Sequence, residues 1–363
     1  MDRELLRAAS RMEDAMREAI GKKHTRRELL GRALPGAVLA GTGLTVLQPL
    51  LSFAADQQKE QRGYIAGKYG IELDGQFAGW IYSADGGDAT SDVVLERLGP
   101  DNIQHKHLAG AKYEEITLNC GIGMSKGFYD WVRASFDKKF MRKNGAILTC
   151  NYNGMPISRM EWRNGLITEI GFPALDAASK DAARMTVKIL PEFTRMVAAA
   201  QGALRTPSQI VQKKWLPANF RLQIAGCQTA CSHVNKIDAI ALKIVTTANQ
   251  VGVARDYEVV RAQLDVPNLA ITTAEAQAAE FYQWHQDFVI KGINGSEKKR
   301  TGTLEFLTPD LRESLFTLTF RGLGIFKFAP EKVEAGSENI RRVKAEMFCE
   351  DIGFAYGGGA AWA

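Results

Sequence analysis

Beyond residue 60, apolar and polar positions alternate along most of the chain. Ile71-Glu72-Leu73 and Phe220-Arg221-Leu222-Gln223-Ile224 have period two, the spacing of a half-buried strand. The run Ile147-Leu148-Thr149-Cys150-Asn151-Tyr152 leads into Asn153-Gly154, a pair that accepts positive φ and signals a hairpin. Residues 155–162 form the returning strand and put Met160 and Trp162 on one face. Residues 315–320, 185–190 and 342–349 supply further strands. Two segments differ: around Phe128-Tyr129 and Phe281-Tyr282 the apolar residues fall at helical spacing. The pattern predicts a mainly β fold, a sandwich or partial barrel, with one helix in each half.

The halves repeat each other. Lys126-Gly127-Phe128-Tyr129-Asp130-Trp131 and Ala279-Glu280-Phe281-Tyr282-Gln283-Trp284 share a Phe-Tyr-x-Trp core, 153 residues apart. Glu115-Ile116-Thr117-Leu118 precedes the first and Leu269-Ala270-Ile271-Thr272 the second. Downstream, Gly145-Ala146-Ile147-Leu148 matches Gly302-Thr303-Leu304-Glu305. The segment ending at Trp162 matches the one ending at Phe320, now 158 apart. The extra residues fit in the polar loop Asn294-Gly295-Ser296-Glu297-Lys298-Lys299-Arg300. Residues 61–205 and 216–363 therefore read as two copies of one domain, with residues 206–215 as a linker containing Thr206-Pro207-Ser208.

Residues 1–60 are different in kind. Residues 2–20 read as a charged amphipathic helix. Lys22-Lys23-His24-Thr25-Arg26-Arg27-Glu28-Leu29-Leu30 follows, then an uncharged stretch over residues 33–55. Basic, apolar, then small residues is the order of an export signal. Arg26 and Arg27 before a modestly hydrophobic, Gly-containing run resemble a twin-arginine signal, with Ser52-Phe53-Ala54-Ala55 as the cleavage neighbourhood. An uncleaved membrane anchor and an arm buried in an assembly are the other readings of this targeting or anchor segment.

The order of elements in the repeat, with Leu108-Ala109-Gly110-Ala111-Lys112-Tyr113-Glu114-Glu115, Arg142-Lys143-Asn144-Gly145 and Trp162-Arg163-Asn164-Gly165, resembles the tail-tube protein family of contractile phage tails and contractile injection systems. The second copy departs from it, with Arg321-Gly322 in place of Asn-Gly. The resemblance implies two tandem tail-tube domains after a helical, hydrophobic N-terminal segment. It implies a structural protein whose copies form rings, with strands lining a β-barrel channel that has no free edges. Three two-domain chains would make a pseudo-hexameric ring. Six chains would make a ring of double thickness. The implied partners are further copies of the chain, stacked rings, and sheath, baseplate or spike proteins. The family also assigns ring-to-ring contacts to long inter-strand loops, here residues 82–94 and 248–262.

Composition narrows the alternatives. The chain has 363 residues, 45% hydrophobic and 24% charged, which excludes a disordered tail and a multi-span membrane protein. Residues 1–32 carry +3 of the net +5, so the body has no dense basic face for nucleic acid. Five cysteines at irregular spacing are not a disulfide scaffold, although one bridge is compatible with an oxidising compartment.

Catalytic chemistry finds little support. Cys227-x-x-x-Cys231-x-His233 has no fourth ligand nearby, and residues 222–234 read as strand and turn. Gly121-Ile122-Gly123 lacks the third glycine of a phosphate loop. Asp85-Gly86-Gly87-Asp88 reads as a flexible turn and Glu114-Glu115 as solvated. Phe128, Tyr129 and Trp131 resemble a base-stacking platform, but their recurrence favours a core role. His285 has no acid or nucleophile beside it in sequence. The expectation is no enzyme, no cofactor and no metal. The residues that carry the fold are Phe128, Trp131, Trp162, Phe281, Trp284 and Phe320. The runner-up is an exported envelope or binding protein that reuses the domain, in contact with membrane through residues 33–55.

Overall fold

The computed structural model describes residues 67–96, 104–198, 215–249, 258–331, 340–357 and 361–362. The chain divides into two units, Met1–Arg62 and Gly63–Ala363, and every described residue lies in the second. The expected N-terminal helix, Arg26, Arg27 and the apolar run 33–55 fall outside the described residues.

The first half runs β1 (Lys68–Leu73), β2 (Gln76–Asp85), β3 (Ala89–Glu96), β4 (His105–Tyr113), β5 (Ile116–Cys120), β6 (Met124–Ser125), α1 (Lys126–Phe136), β7 (Lys143–Cys150), β8 (Pro156–Phe172), β9 (Leu175–Asp176), β10 (Met185–Leu190) and β11 (Phe193–Ala198). Pairing runs from β8 through β7, β1, β2, β5 and β10 and back to β8, which closes six strands into a barrel. Asp74 and Gly75, at φ 50° and 81°, make the tight turn between β1 and β2. Helix α1 is capped by the Ser125 hydroxyl, which accepts from the Phe128 amide at 3.2 Å.

The Asn-Gly pairs of the sequence meet each other here. Gly145 lies opposite Trp162, and a Cβ on Gly145 would come within 2.2 Å of the Trp162 ring. Asn164 takes a positive φ of 49°, its amide donating to Asn144 Oδ1 at 2.9 Å. The register of the second half puts Gly322, at φ 68°, in the place of Asn164, and Arg321 in that of Arg163, so the expected alignment shifts by one residue and the backbone form is kept.

The second half runs β12 (Phe220–Ile224), α2 (Gln228–Cys231), β13 (Val234–Ile237), β14 (Ile240–Asn249), β15 (Glu258–Asp265), β16 (Leu269–Ala274), α3 (Ala279–His285), β17 (Arg300–Leu307), β18 (Ser314–Pro330), β19 (Arg342–Phe348), β20 (Asp351–Tyr356) and β21 (Ala361–Trp362). A π turn, Gln286–Ile290, extends α3. Apart from the short β6 and β9, α2 and the C-terminal β21, the order of the first half recurs. Ile116 faces Ile189 as Leu269 faces Met347, at offsets of 153 and 158. The β8–β10 and β18–β19 ladders even break register at the same place.

Two expectations need correction. Residues 222–234 are not strand and turn alone: α2 occupies the place of the β1–β2 turn, and β12 and β13 do not pair. The second barrel is therefore split where the first is closed. Residues 82–94 are not a loop but the end of β2, a turn, and most of β3.

The halves share one sheet and one core. β14 pairs with β8, β13 with β9, and β21 with β6. Phe136 stacks on Phe354 at 5.3 Å and Tyr129 on Tyr356 at 5.2 Å. The Tyr356 hydroxyl donates to Asp130 at 2.7 Å. Trp215, expected as the last linker residue, is instead buried edge-on to Phe306 and Phe316.

Candidate assembly surfaces

The six aromatic residues expected to carry the fold lie inside it. Phe128, Trp131, Trp162, Phe281, Trp284 and Phe320 are all at most 3% exposed. Trp131 Nε1 donates to the Met141 carbonyl at 2.7 Å, and Trp162 Nε1 to that of Lys143 at 3.1 Å. The second half handles its tryptophan differently. The Arg300 guanidinium covers the Trp284 ring at 4.3 Å and donates to Cys227 Sγ at 2.7 Å.

That contact accounts for the cysteine segment. Burial pushes the Cys227 thiol up to about 11 and the Cys231 thiol up to about 12. All five cysteines are free and buried. Among the described residues no group of three or more His, Cys, Asp or Glu could hold a metal. Gly86 and Gly87 take φ of 82° and 85° in the Asp-Gly-Gly-Asp turn. Glu115 is not merely solvated: it accepts from Thr168 and lies 4.0 Å from Lys188. His285 packs beside Phe328.

What stands out on the surface is strand edge. Along β8, residues 169–171 pair on one edge with β10 and on the other with β14, with Gly171 facing both Thr186 and Ala241. This seam joins the halves side by side, and it buries Ile170 and Phe172. The β3–β4 hairpin, by contrast, forms a separate two-stranded sheet. It exposes Val93 (57%), Leu95 (52%) and Leu108 (66%).

The two halves also invert an ion pair. Lys188 meets Glu169 at 2.9 Å across β10 and β8, while Lys327 meets Glu346 at 2.6 Å at the equivalent point of β18 and β19.

Residues 66–192 match the model of the T4-like virus tail tube protein family, gp19. That segment, which lies within the first half of the repeat, is similar to the tail tube proteins of this family. The family is one of structural tube proteins and not of enzymes. Among solved structures, a chain of an extracellular contractile injection system, the PVC sheath-tube complex in its extended state, is 20% identical. That match covers 39% of this chain and 95% of that one, at a TM-score of 0.35. A chain of the anti-feeding prophage tube terminating cap is 21% identical over 41% of this chain and 99% of its own length, at 0.36. Hcp1 from Flavobacterium johnsoniae is 15% identical over 38% and 95%, at 0.24. A comparison with curated proteins found no match.

Proposed function

We propose that this chain forms a ring enclosing a channel, as a structural component of a phage-tail-like or contractile-injection-type tube. The observation that carries the reading is the β8–β14 seam: the two halves stand side by side in one sheet. Side-by-side domains suit a ring in which three chains supply six domains. They do not suit a ring of double thickness, in which the halves would stack. Such a ring would bind further copies above or below it, and sheath, baseplate or spike proteins at its ends. Its threefold symmetry with six domains fits the start or end of a tube, where a trimeric element meets a hexameric one.

Negative-stain microscopy of the purified full chain tests this. Rings or short tubes with a central channel support it. A monodisperse monomer across a wide concentration range overturns it and favours a binding module that reuses the domain.

Residues 1–60 carry the proposal about location. With Arg26 and Arg27 ahead of residues 33–55, the chain is directed to the periplasm or cell envelope. The mass of the chain recovered from cells tests it. Loss of about the first 55 residues supports a cleaved signal, and an intact chain in the membrane fraction supports an anchor. An intact chain in the soluble fraction contradicts both.

A further inference from the structure

The seam inside the chain has an unfilled counterpart. The offsets that align the halves place residues 169–172 of β8 at residues 327–330 of β18, and residues 240–243 of β14 at residues 87–90. The hairpins agree in register: Thr90 faces Lys112 as Lys243 faces Asp265. On β8, residues 169–171 have a strand on both edges. On β18, residues 327–330 pair with β19 on one edge, and no described strand takes the other.

Burial follows this difference. Ile170 and Phe172 are buried beside β14. Phe328 and Pro330, in the same positions on β18, are half-buried and exposed, and neighbouring Phe326 is 40% exposed. Asp88, Ala89 and Thr90 are likewise exposed. Among the described residues, one end of the repeat thus carries an apolar strand edge with no partner strand. At the other end it carries the hairpin whose equivalent fills such an edge.

We propose that β3 of a second copy of this chain adds to the free edge of β18. The strands run antiparallel, with Asp88, Ala89 and Thr90 opposite Ala329, Phe328 and Lys327. The proposal rests on the ring reading and specifies its chain-to-chain contact. The contact joins two different surfaces, so it repeats head to tail until the ring closes. It pairs a strand edge that is otherwise an aggregation template and gives the isolated hairpin a sheet to join. It also sets Asp88 diagonally across from Lys327, a favourable pair of charges. The two glycines at the root of the hairpin stand where the second half has Ala239 and Ile240. The root of β3 is therefore free to take a direction that the root of β14 does not.

Cysteines placed at the paired positions test this in the full chain. Ala89→Cys and Phe328→Cys together, under mild oxidation, are expected to give disulfide-linked ladders of two and more chains on non-reducing gels. Either substitution alone is expected to give no ladder. Microscopy of the same sample separates the two failures. Rings without the ladder overturn this contact and leave the ring reading standing, whereas monomers at every concentration overturn both. Hydrogen exchange of the unaltered protein guards against a misfolded variant. The amides of Ala89 and Phe328, which point away from β4 and β19, should be protected in rings and exchange at least tenfold faster in dissociated chains. Equal exchange in the two states overturns the contact.

Discussion

Phe172, the last residue of β8, stacks on Phe306 of β17 with ring centroids 5.2 Å apart and planes 21° from parallel. One ring belongs to the first half of the repeat and the other to the second. Both are buried, and Phe316 packs against both. Neither half completes its core without the other.

Phe172→Ala should therefore act on the whole unit. The truncation leaves a cavity, at a cost of about 3–5 kcal/mol. Denaturant unfolding followed by tryptophan fluorescence should show one transition, shifted as a whole. Two transitions, only one of them shifted, would show that the halves fold independently.

The two helix tryptophans should respond differently to the same change. Trp131→Phe keeps most of the ring but strands the Met141 carbonyl, and should cost about 1–3 kcal/mol. Trp284 Nε1 has no hydrogen-bond partner among the described residues. Trp284→Phe forfeits no hydrogen bond and should cost measurably less than Trp131→Phe. Equal losses in thermal unfolding would contradict the assignment. Trp131→Ala should cost about 3–5 kcal/mol and prevent rings from forming.

How much of this was legible in the sequence depends on what carries each feature. Phe128, Trp131, Phe281 and Trp284 announce the helices and the repeat because large aromatic side chains at fixed spacing have few other uses. The strands followed from alternation. The β8–β14 seam left no trace, because strand pairing is made by backbone groups that every residue carries. Helix α2 is a single turn, too short for a periodic signal. Trp215 sits just past Pro- and Ser-containing linker residues, and only the fold turns it back against Phe306. The fold class and most of its elements were thus readable, whereas α2, the β3–β4 hairpin and the assembly surfaces were not.

Acid should weaken one cluster in a predictable direction. Glu161 accepts from Arg195 at 2.7 Å and from Arg159 at 3.0 Å. The Arg195 hydrogen bond leads in holding its carboxyl below the usual carboxylate range. A depressed value means that the unfolded chain takes up the proton first as pH falls. The stabilisation is complete above the unfolded value of about 4.3 and fades as pH drops through the folded one. Arg195→Met should cost up to about 1 kcal/mol at pH 7, and the gap to the unaltered chain should close in strong acid. A gap that widens in acid would contradict this reading.

The thiols should be silent until the fold opens. Cys120 is fully buried, and burial pushes its thiol up to about 12. Labelling with a thiol-reactive chromophore at pH 8 should be slow in the native protein and reach five groups per chain on denaturation. Rapid native labelling would mean that the core is open.

The central claim is that three chains, with their halves side by side, make one six-domain ring. The mass of intact assemblies, measured on the particles seen by microscopy, tests it most directly. The account predicts a ring of three times the mass of the mature chain, which is 40.0 kDa if nothing is removed, with six similar densities around the channel. A smallest ring of six chains, with the halves stacked along the axis, would contradict it.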